Sequence, residues 1–286
     1  MKRTTAGWGS GLLGVFIFSG SLPATRMAIA DMTPLFVTSA RAVVAALLGA
    51  LFLLTLRQAR PSRDALFPLV IVSVGVVVGY PLLSGLALQH ISAGHSIVFT
   101  GLLPLATAIF GVLRGGERPK PAFWLFSIVG AGIVGGFALY HNSDGSIIGD
   151  GLMIAAILLC GLGYAEGAAL SRRLGGWQVI SWALLLSLPL MAIISLFTMP
   201  EQWANVGERA WAGFVYVSIF SMMLGFVFWY RGLALGGIVG VGQLQLLQPF
   251  GGFALAALVL GEPIAWTMVA STGLVILCVA GAKRYT

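Results

Sequence analysis

Charged residues are scarce in this chain of 286 residues, because Asp, Glu, Lys and Arg together make up only 9% of it. Soluble domains carry about 25% charged residues. Hydrophobic residues make up 58% of the chain, and its mean hydropathy is +0.98. A chain this poor in charge cannot cover its surface with groups that water solvates well. The composition therefore excludes a soluble domain and predicts that lipid is the solvent.

Residues that carry enzymatic or metal chemistry are also few. Cys160 and Cys278 lie in different halves of the chain, and they indicate neither a disulfide framework nor a metal site. His90 and His95 have no acid nearby in the sequence, and the predicted spans contain no paired carboxylates. An intramembrane enzyme would need such a pair, a metal cluster, or a nucleophile with its base. We therefore expect no catalytic residue, no metal and no cofactor.

What the chain does contain is a series of ten apolar runs. A helix needs about 20 apolar residues to span a bilayer. The runs cover approximately residues 8–30, 34–56, 66–89, 92–113, 121–140, 147–171, 177–198, 210–231, 238–260 and 264–282. The sequence thus predicts an all-α integral membrane protein of ten transmembrane helices, numbered here 1 to 10, with short loops.

The basic residues are distributed unevenly between the two sets of loops. Both termini and the loops after even-numbered helices hold Lys2, Arg3, Arg57, Arg60, Arg63, Arg114, Arg118, Lys120, Arg172, Arg173, Arg231, Lys283 and Arg284. The opposite loops hold Arg209 and several acids. Since basic loops mark the cytoplasmic side, both termini are predicted to be cytoplasmic. The net charge of +7 therefore reflects membrane orientation, and we expect no nucleic-acid partner.

The chain also contains an internal repeat. The sequence GLAL at Gly85–Leu88 recurs at Gly232–Leu235, where it is interpreted as a small-residue turn. At a slightly different offset, Pro104, Gly116 and Glu117 recur as Pro249, Gly261 and Glu262. We predict two halves of five helices each, residues 1–143 and 144–286. Because five is odd, the halves face opposite ways, which is the inverted repeat found in many transporters.

Polar and aromatic residues within the predicted spans indicate a candidate substrate cavity. Buried amides are costly in hydrocarbon unless they face protein or water. Hydroxyls along helix 4 either face a cavity or bond to backbone carbonyls, and the aromatic cluster that ends helix 8 forms either a headgroup belt or a pocket wall. The candidate cavity residues are Tyr80, His95, Ser96, Phe99, Thr100, Tyr164, Trp229, Gln245 and Gln248.

Proline residues and charged residues lie within several of the predicted spans. Proline removes a helical hydrogen bond, so we predict gating or kink positions at Pro23, Pro81, Pro104 and Pro249. Ionisable residues inside a membrane are functional hypotheses by default. Glu166 is either a cytoplasmic ion pair or a proton-coupling site. Arg41 is either a clamp for a substrate carboxylate or a structural pair with an outer acid or carbonyls.

The doubled pattern of GLAL, proline and Gly-Glu in ten spans resembles the drug/metabolite transporter superfamily. Within it the chain is similar to EamA-domain proteins, and among these to the YddG-type bacterial amino-acid exporters. The resemblance implies a multi-pass protein of the bacterial inner membrane with a central cavity. It also implies that helices 1, 3, 4, 6, 8 and 9 form the wall of that cavity, and that helices 5 and 10 are peripheral.

The function expected from these features is export of neutral or aromatic amino acids by alternating access. Export of other metabolites or drugs is the alternative within the superfamily, and a channel or an intramembrane enzyme is the alternative from another class. Proton antiport and facilitated efflux both remain open. The expected partners are a small-molecule substrate and the lipid bilayer, and the chain is expected to act as a monomer.

Overall fold

The computed structural model describes residues 2–91, 96, 99–141, 146–260 and 266–286. Every extended regular element among these residues is a helix. We group helices that continue into one another, which gives ten segments over the described residues, labelled α1 to α10.

Some of the ten segments consist of several helical pieces, so the bounds of every piece are given. Their bounds are α1, Lys2–Ser19 with Ser21–Ala28; α2, Pro34–Thr55; α3, Arg63–Val72, Ser73–Gly79 and Tyr80–Ala87; α4, Leu103–Gly115; α5, Pro121–His141; α6, Ile147–Leu174; α7, Gly176–Phe197; α8, Glu208–Val215, Tyr216–Gly225 and Phe226–Gly236; α9, Ile238–Gly242, Gln243–Leu247 and Gln248–Leu260; and α10, Trp266–Arg284. The parts Ser73–Gly79 and Tyr216–Gly225 are π-helical, and Gln243–Leu247 is a 3₁₀ turn.

Within the described residues, six helices are long and apolar enough to cross a membrane, judged by length and composition alone. They are Thr4–Ala28, Pro34–Thr55, Arg63–Ala87, Ile147–Leu174, Gly176–Phe197 and Glu208–Gly236. Large apolar side chains also cover the outside of the bundle, and Leu54 and Phe197 are 76% and 87% exposed. Extended apolar surface of this kind fits contact with lipid rather than water. The all-α multi-pass membrane fold is therefore observed, whereas ten spans and cytoplasmic termini stay predictions.

The packing of the first five segments on the last five follows a two-fold pattern. Matching α1–α5 in order with α6–α10 makes α1 the counterpart of α6, α3 of α8, and α4 of α9. The contact of α1 with α8 then corresponds to the contact of α6 with α3. The contact of α4 with α6 corresponds in the same way to the contact of α9 with α1. Three segments also pack directly on their own counterparts, namely α2 on α7, α4 on α9, and α5 on α10. Two related halves that face each other would produce this exchange of roles. The division at residues 143 and 144 itself stays a prediction.

Close packing of α1 on α8 depends on glycine. A Cβ added to Gly232 would lie 2.6 Å from both the Cα and the N of Gly11, and one added to Gly7 would lie 2.5 Å from the N of Gly236. Small residues that let backbones approach are the usual means of packing helices in lipid. The contact between these segments therefore requires the absence of side chains at these positions.

The second copy of the GLAL sequence is not a turn in this structure, contrary to the sequence prediction. Gly232–Leu235 lies in the last turns of α8, which ends at Gly236. The turn comes at Gly237, whose φ of +93° favours glycine. The first copy likewise lies at the end of α3, which runs to Ala87. Leucine and alanine are good helix formers, so the helix continues until a glycine allows the chain to reverse.

Candidate functional site

A cavity lies between the two halves, with walls formed by α1 to α4, α6, α8 and α9. The lining residues are Phe18, Ser21, Leu22, Thr25, Arg41, Val76, Tyr80, Pro81, Ser84, Leu103, Tyr164, Ser221, Phe226 and Gln248. Six of these seven segments are the walls that the resemblance implied, and the seventh, α2, contributes Arg41. The cavity volume is about 40 Å³, and one water needs roughly 10–15 Å³. Since ligand pockets span about 300–1,000 Å³, the cavity must widen to admit a substrate.

The cavity reaches toward one end of the bundle. Thr25 lies near the end of α1, Arg41 near the start of α2, and Ser84 near the end of α3. The charge pattern of the loops predicts that these three helix ends are outside the cell. The cavity is therefore displaced toward the predicted outer side.

Aromatic rings form one side of the cavity. The Tyr164 and Phe226 ring centroids are 6.0 Å apart, and those of Phe18 and Phe226 are 5.1 Å apart. Both pairs meet edge to face, an arrangement that aromatic rings favour. Trp229 is fully buried behind this layer, 5.5 Å from Tyr164 between centroids, and is not among the lining residues. Trp229 thus supports the aromatic wall from behind, and no headgroup-belt position is observed for it.

The glutamines of α9 take different positions. Gln248 lines the cavity, and its Nε2 donates to the Phe18 carbonyl at 3.4 Å. Gln245 is 1% exposed, lies outside the lining set beside Tyr164, and has no hydrogen bond of normal geometry at either amide atom. Gln243, which the sequence analysis did not select, is also buried without a hydrogen bond. Of the two predicted glutamines, the cavity therefore includes Gln248 only.

The candidate residues before α4 are placed away from the cavity lining. Ser96 and Thr100 are buried, and Phe99 packs beside the apolar cluster of Ala87, Ile91 and Met153. His95 lies outside the described residues. Tyr80, one helical turn before Ser84, lines the cavity.

The predicted gating prolines lie in varied surroundings. Pro81 lines the cavity directly after the π-helical part of α3, and Pro249 is buried directly after the 3₁₀ turn of α9. Proline cannot donate a backbone hydrogen bond and clashes with the preceding turn, which accounts for irregular helix next to it. Pro104 is buried in the first turn of α4, where proline is well tolerated. Pro23 is exposed on α1.

Glu166 forms an ion pair and is not part of the cavity lining. Its carboxylate accepts a hydrogen bond from Nε of Arg114, so α6 is joined to α4. The Glu166 side chain is 7% exposed, whereas that of Arg114 is 45% exposed. Arg172 and Arg173 follow Glu166 closely along the chain, but they pair with Glu117 and Asp64 instead. The ion-pair interpretation of Glu166 is the one that this geometry supports.

Glu117 connects three parts of the molecule at the predicted cytoplasmic end. Its carboxylate oxygens accept hydrogen bonds from the backbone N–H groups of Ile238 and Val239, each at 2.8 Å. Arg172 Nη2 donates to the same carboxylate at 2.7 Å. A carboxylate at a helix N-terminus satisfies otherwise unpaired donors and interacts favourably with the helix dipole. Glu117 therefore links the end of α4 to both α6 and α9.

Sequence reasoning missed the hydroxyl residues of the cavity. Ser21 and Thr25 are four apart on α1, and Ser221 lies opposite them on α8, with the Ser21 and Ser221 hydroxyl oxygens 2.8 Å apart. Serine and threonine spaced by four on an apolar helix share one face, which is a signal that could have identified this pair. Ser221 likewise lies three residues after Ser218 in α8, but only packing places Ser221 rather than Ser218 among the lining residues. Within the described residues, no group of three or more His, Cys, Asp or Glu side chains could hold a metal.

An all-helical membrane bundle with a partly polar cavity between two matched halves has the architecture of a small-molecule transporter. The chain belongs to the EamA-like transporter family, whose sequence profile matches residues 6–139 and again residues 147–282. The resemblance stated from the sequence is thereby confirmed at the family level.

Relatives with curated descriptions agree with this assignment. The chain is 58% identical over 285 residues to a Bacillus subtilis (strain 168) protein described as uncharacterized transporter YdeK, covering 100% of this chain and 99% of that protein. It is 24% identical over 281 residues to uncharacterized transporter sll0355 of Synechocystis sp. (strain ATCC 27184 / PCC 6803 / Kazusa), covering 90% and 84% of the two chains. A solved crystal structure superposes with a TM-score of 0.80 over 97% of this chain and 96% of the other, at 17% identity. That superposition shows the fold alone.

Proposed function

We propose that this chain exports neutral and aromatic amino acids across the bacterial inner membrane by alternating access. The observation that carries the proposal is the cavity between the two halves, whose wall combines aromatic rings with hydroxyl and amide groups. An amino acid needs apolar contact for its side chain and a few hydrogen-bonding groups for its polar end. The family assignment makes the chain a transporter, and the cavity chemistry supports this substrate class.

Alternating access is supported by the difference between the two ends of the bundle. Ion pairs at the predicted cytoplasmic end join Arg114 to Glu166, Arg172 to Glu117, and Arg173 to Asp64. Each of these pairs connects the first half to the second. The cavity lies toward the opposite end, where the Asp31 carboxylate accepts a hydrogen bond from the Gly207 backbone N–H at 2.9 Å. In the proposed cycle the inner contacts break as the outer end closes.

Energy coupling in this proposal is downhill efflux without a proton. Glu166 is already paired with Arg114 and is not among the lining residues, so no substrate-dependent proton site is associated with it. We expect a pH gradient across liposomes to leave the equilibrium distribution of labelled substrate unchanged. Accumulation above equilibrium that follows the gradient would contradict this part of the proposal.

Counterflow tests the proposed function. Purified full-length protein in liposomes loaded with unlabelled phenylalanine should drive transient uptake of labelled phenylalanine above equilibrium. Gln248→Leu removes a half-buried cavity amide and should lower the initial rate by roughly 10-fold, as expected when a hydrogen-bonding group in the cavity is lost. Gln202→Leu makes the same change at an exposed residue between α7 and α8 and should leave the rate unchanged.

Two results would count against the proposal. If no amino acid shows counterflow while another metabolite does, the substrate class is wrong and the family assignment still holds. If flux is fast but never shows counterflow, the protein conducts as a channel, because exchange through one alternating site is what couples the two flows.

A further inference from the structure

The cavity contains one buried cation that has no anionic partner among the described residues. Arg41 lines the cavity and is only 7% exposed. Its Nε is buried without a hydrogen bond, and none of the ion pairs in the described parts of the chain includes it. The fourteen described lining residues include no Asp or Glu. Arg41 is therefore a cation whose hydrogen-bond donors are not used by the protein around it.

An unpaired guanidinium at this depth is an unfavourable element of the fold. Burying an ion costs several kcal/mol unless it is paired and hydrogen-bonded. Four acids interact with groups other than Arg41. The Asp31 carboxylate accepts a hydrogen bond from the Gly207 backbone N–H, and Asp64, Glu117 and Glu166 form ion pairs with other arginines. A structural partner on the wall is thus not observed. Ligands that supply the missing anion would remove this cost.

We propose that Arg41 anchors the carboxylate of the transported substrate. This proposal rests on the proposed transport function and defines the substrate class by its carboxylate, as small monocarboxylates with an apolar or aromatic body. The planar guanidinium matches a carboxylate through two parallel hydrogen bonds. Phe18, Tyr164 and Phe226 then provide the apolar side of the same cavity.

The single positive charge of Arg41 determines which charged groups of a ligand the cavity can accept. A monocarboxylate neutralises Arg41, whereas a phosphate monoester carries about −1.5 to −2 charges and would leave excess negative charge in a low-dielectric site. An ammonium group has no carboxylate to pair with among the lining residues. The carboxylate is therefore required for binding, and the α-amino group of an amino acid is dispensable.

The test compares four probes that share a phenyl ring: phenylalanine, 3-phenylpropanoate without the amine, phenylalaninamide without the carboxylate charge, and 2-phenylethylamine without the carboxylate. Binding to purified full-length protein in detergent is measured by calorimetry or by intrinsic fluorescence. We expect 3-phenylpropanoate to bind at least as well as phenylalanine. The two probes without a carboxylate should bind about 10-fold or more weakly, the loss expected for a charge-assisted hydrogen-bond pair.

Variants connect this selectivity to Arg41. Arg41→Gln should weaken 3-phenylpropanoate binding by about 10-fold or more, and Arg41→Lys, which keeps the charge, should lose less. Arg26→Gln removes an exposed charge from α1 and should leave affinity unchanged. The proposal is overturned if the amine and the amide bind as well as the acid, or if a folded Arg41→Gln protein keeps wild-type affinity.

The probe series on the wild-type protein decides the question even if Arg41→Gln does not fold. Selective carboxylate binding without any counterflow would refute the transport proposal and leave the carboxylate anchor standing. Counterflow of phenylalanine that 3-phenylpropanoate does not inhibit would support transport and refute the anchor. The two proposals therefore fail in distinguishable ways.

Discussion

At the scale of single residues, the buried charges of this protein differ in whether they have a partner. Glu166 is 5% exposed, and its negative charge is balanced by Arg114 from the neighbouring segment. Arg41 is similarly buried, but its charge is balanced by no described residue of the wall. A buried charge that has a partner is compensated within the fold, whereas an unpaired one in a cavity is suited to recognising a ligand. This contrast is the reason that we propose a structural role for Glu166 and a binding role for Arg41.

The Glu166–Arg114 pair leads to an asymmetric prediction about stability. Arg114→Gln leaves a carboxylate buried without its cation, whereas Glu166→Gln leaves a half-exposed guanidinium that water can solvate. We expect Arg114→Gln to reduce the free energy of unfolding by about 1–3 kcal/mol more than Glu166→Gln does. The thermal unfolding midpoint in detergent should accordingly be lower for Arg114→Gln. Arg118→Gln, outside this pair, serves as the control. Equal losses for both variants would indicate that the pair is not buried asymmetrically.

At the scale of helices, irregular backbone is concentrated around the cavity. The π-helical parts of α3 and α8 occur in segments that are counterparts under the two-fold pattern, and the 3₁₀ turn of α9 precedes Gln248. Irregular helix is tolerated at membrane depth where it is buried in protein or lines a cavity. Such stretches are also frequent at functional sites. These parts of α3, α8 and α9 are therefore where we expect the helices to bend during transport.

Helix packing in lipid gives a prediction about Gly232. A methyl group there would collide with the backbone of Gly11, which cannot move without displacing α1. We expect Gly232→Ala to destabilise the protein by roughly 1–3 kcal/mol, the usual cost of overpacking, and to lower the detergent unfolding midpoint. Gly132→Ala is the matched control, because a Cβ at that exposed helical position meets nothing within 4 Å. An unchanged midpoint for Gly232→Ala would mean that α1 and α8 pack less closely than described.

At the scale of the whole molecule, the two-fold pattern of packing suggests how the two ends of the bundle could open in turn. The family profile matches the chain twice, and the contacts between the halves exchange roles between equivalent segments. Two similar halves can exchange conformations, so that the contacts made at one end in one state are made at the other end in the second state. The ion pairs at the predicted cytoplasmic end are the contacts that we expect this exchange to break.

Topology labelling tests the predicted orientation. In a background with Cys160→Ala and Cys278→Ala, one exposed loop residue at a time is replaced, as Arg60→Cys or Glu201→Cys. A membrane-impermeant maleimide added to intact spheroplasts should label Glu201→Cys, and it should label Arg60→Cys only after lysis, because basic loops face the cytoplasm. Labelling of both positions from the same side would refute the alternation of spans on which the inverted repeat depends.

The amino-acid sequence by itself determined the class of this protein. Low charge and long apolar runs require a lipid environment, because too few polar groups are present to solvate a folded surface. The repeated Pro104 and Pro249 pointed to two related halves, and the double match of the family profile agrees with this. These properties depend on composition and order along the chain, so no knowledge of packing was needed to infer them.

Only the tertiary structure decided which polar residues meet. Gln245 and Gln248 are three residues apart, yet only Gln248 reaches the cavity. Glu166 pairs with Arg114 rather than with its sequence neighbours Arg172 and Arg173. The rotation and height of each helix are set by contacts with other helices, such as the glycine-mediated approach of α1 to α8. Periodicity along one helix gives the relative direction of its side chains, but only packing fixes the partner toward which they point.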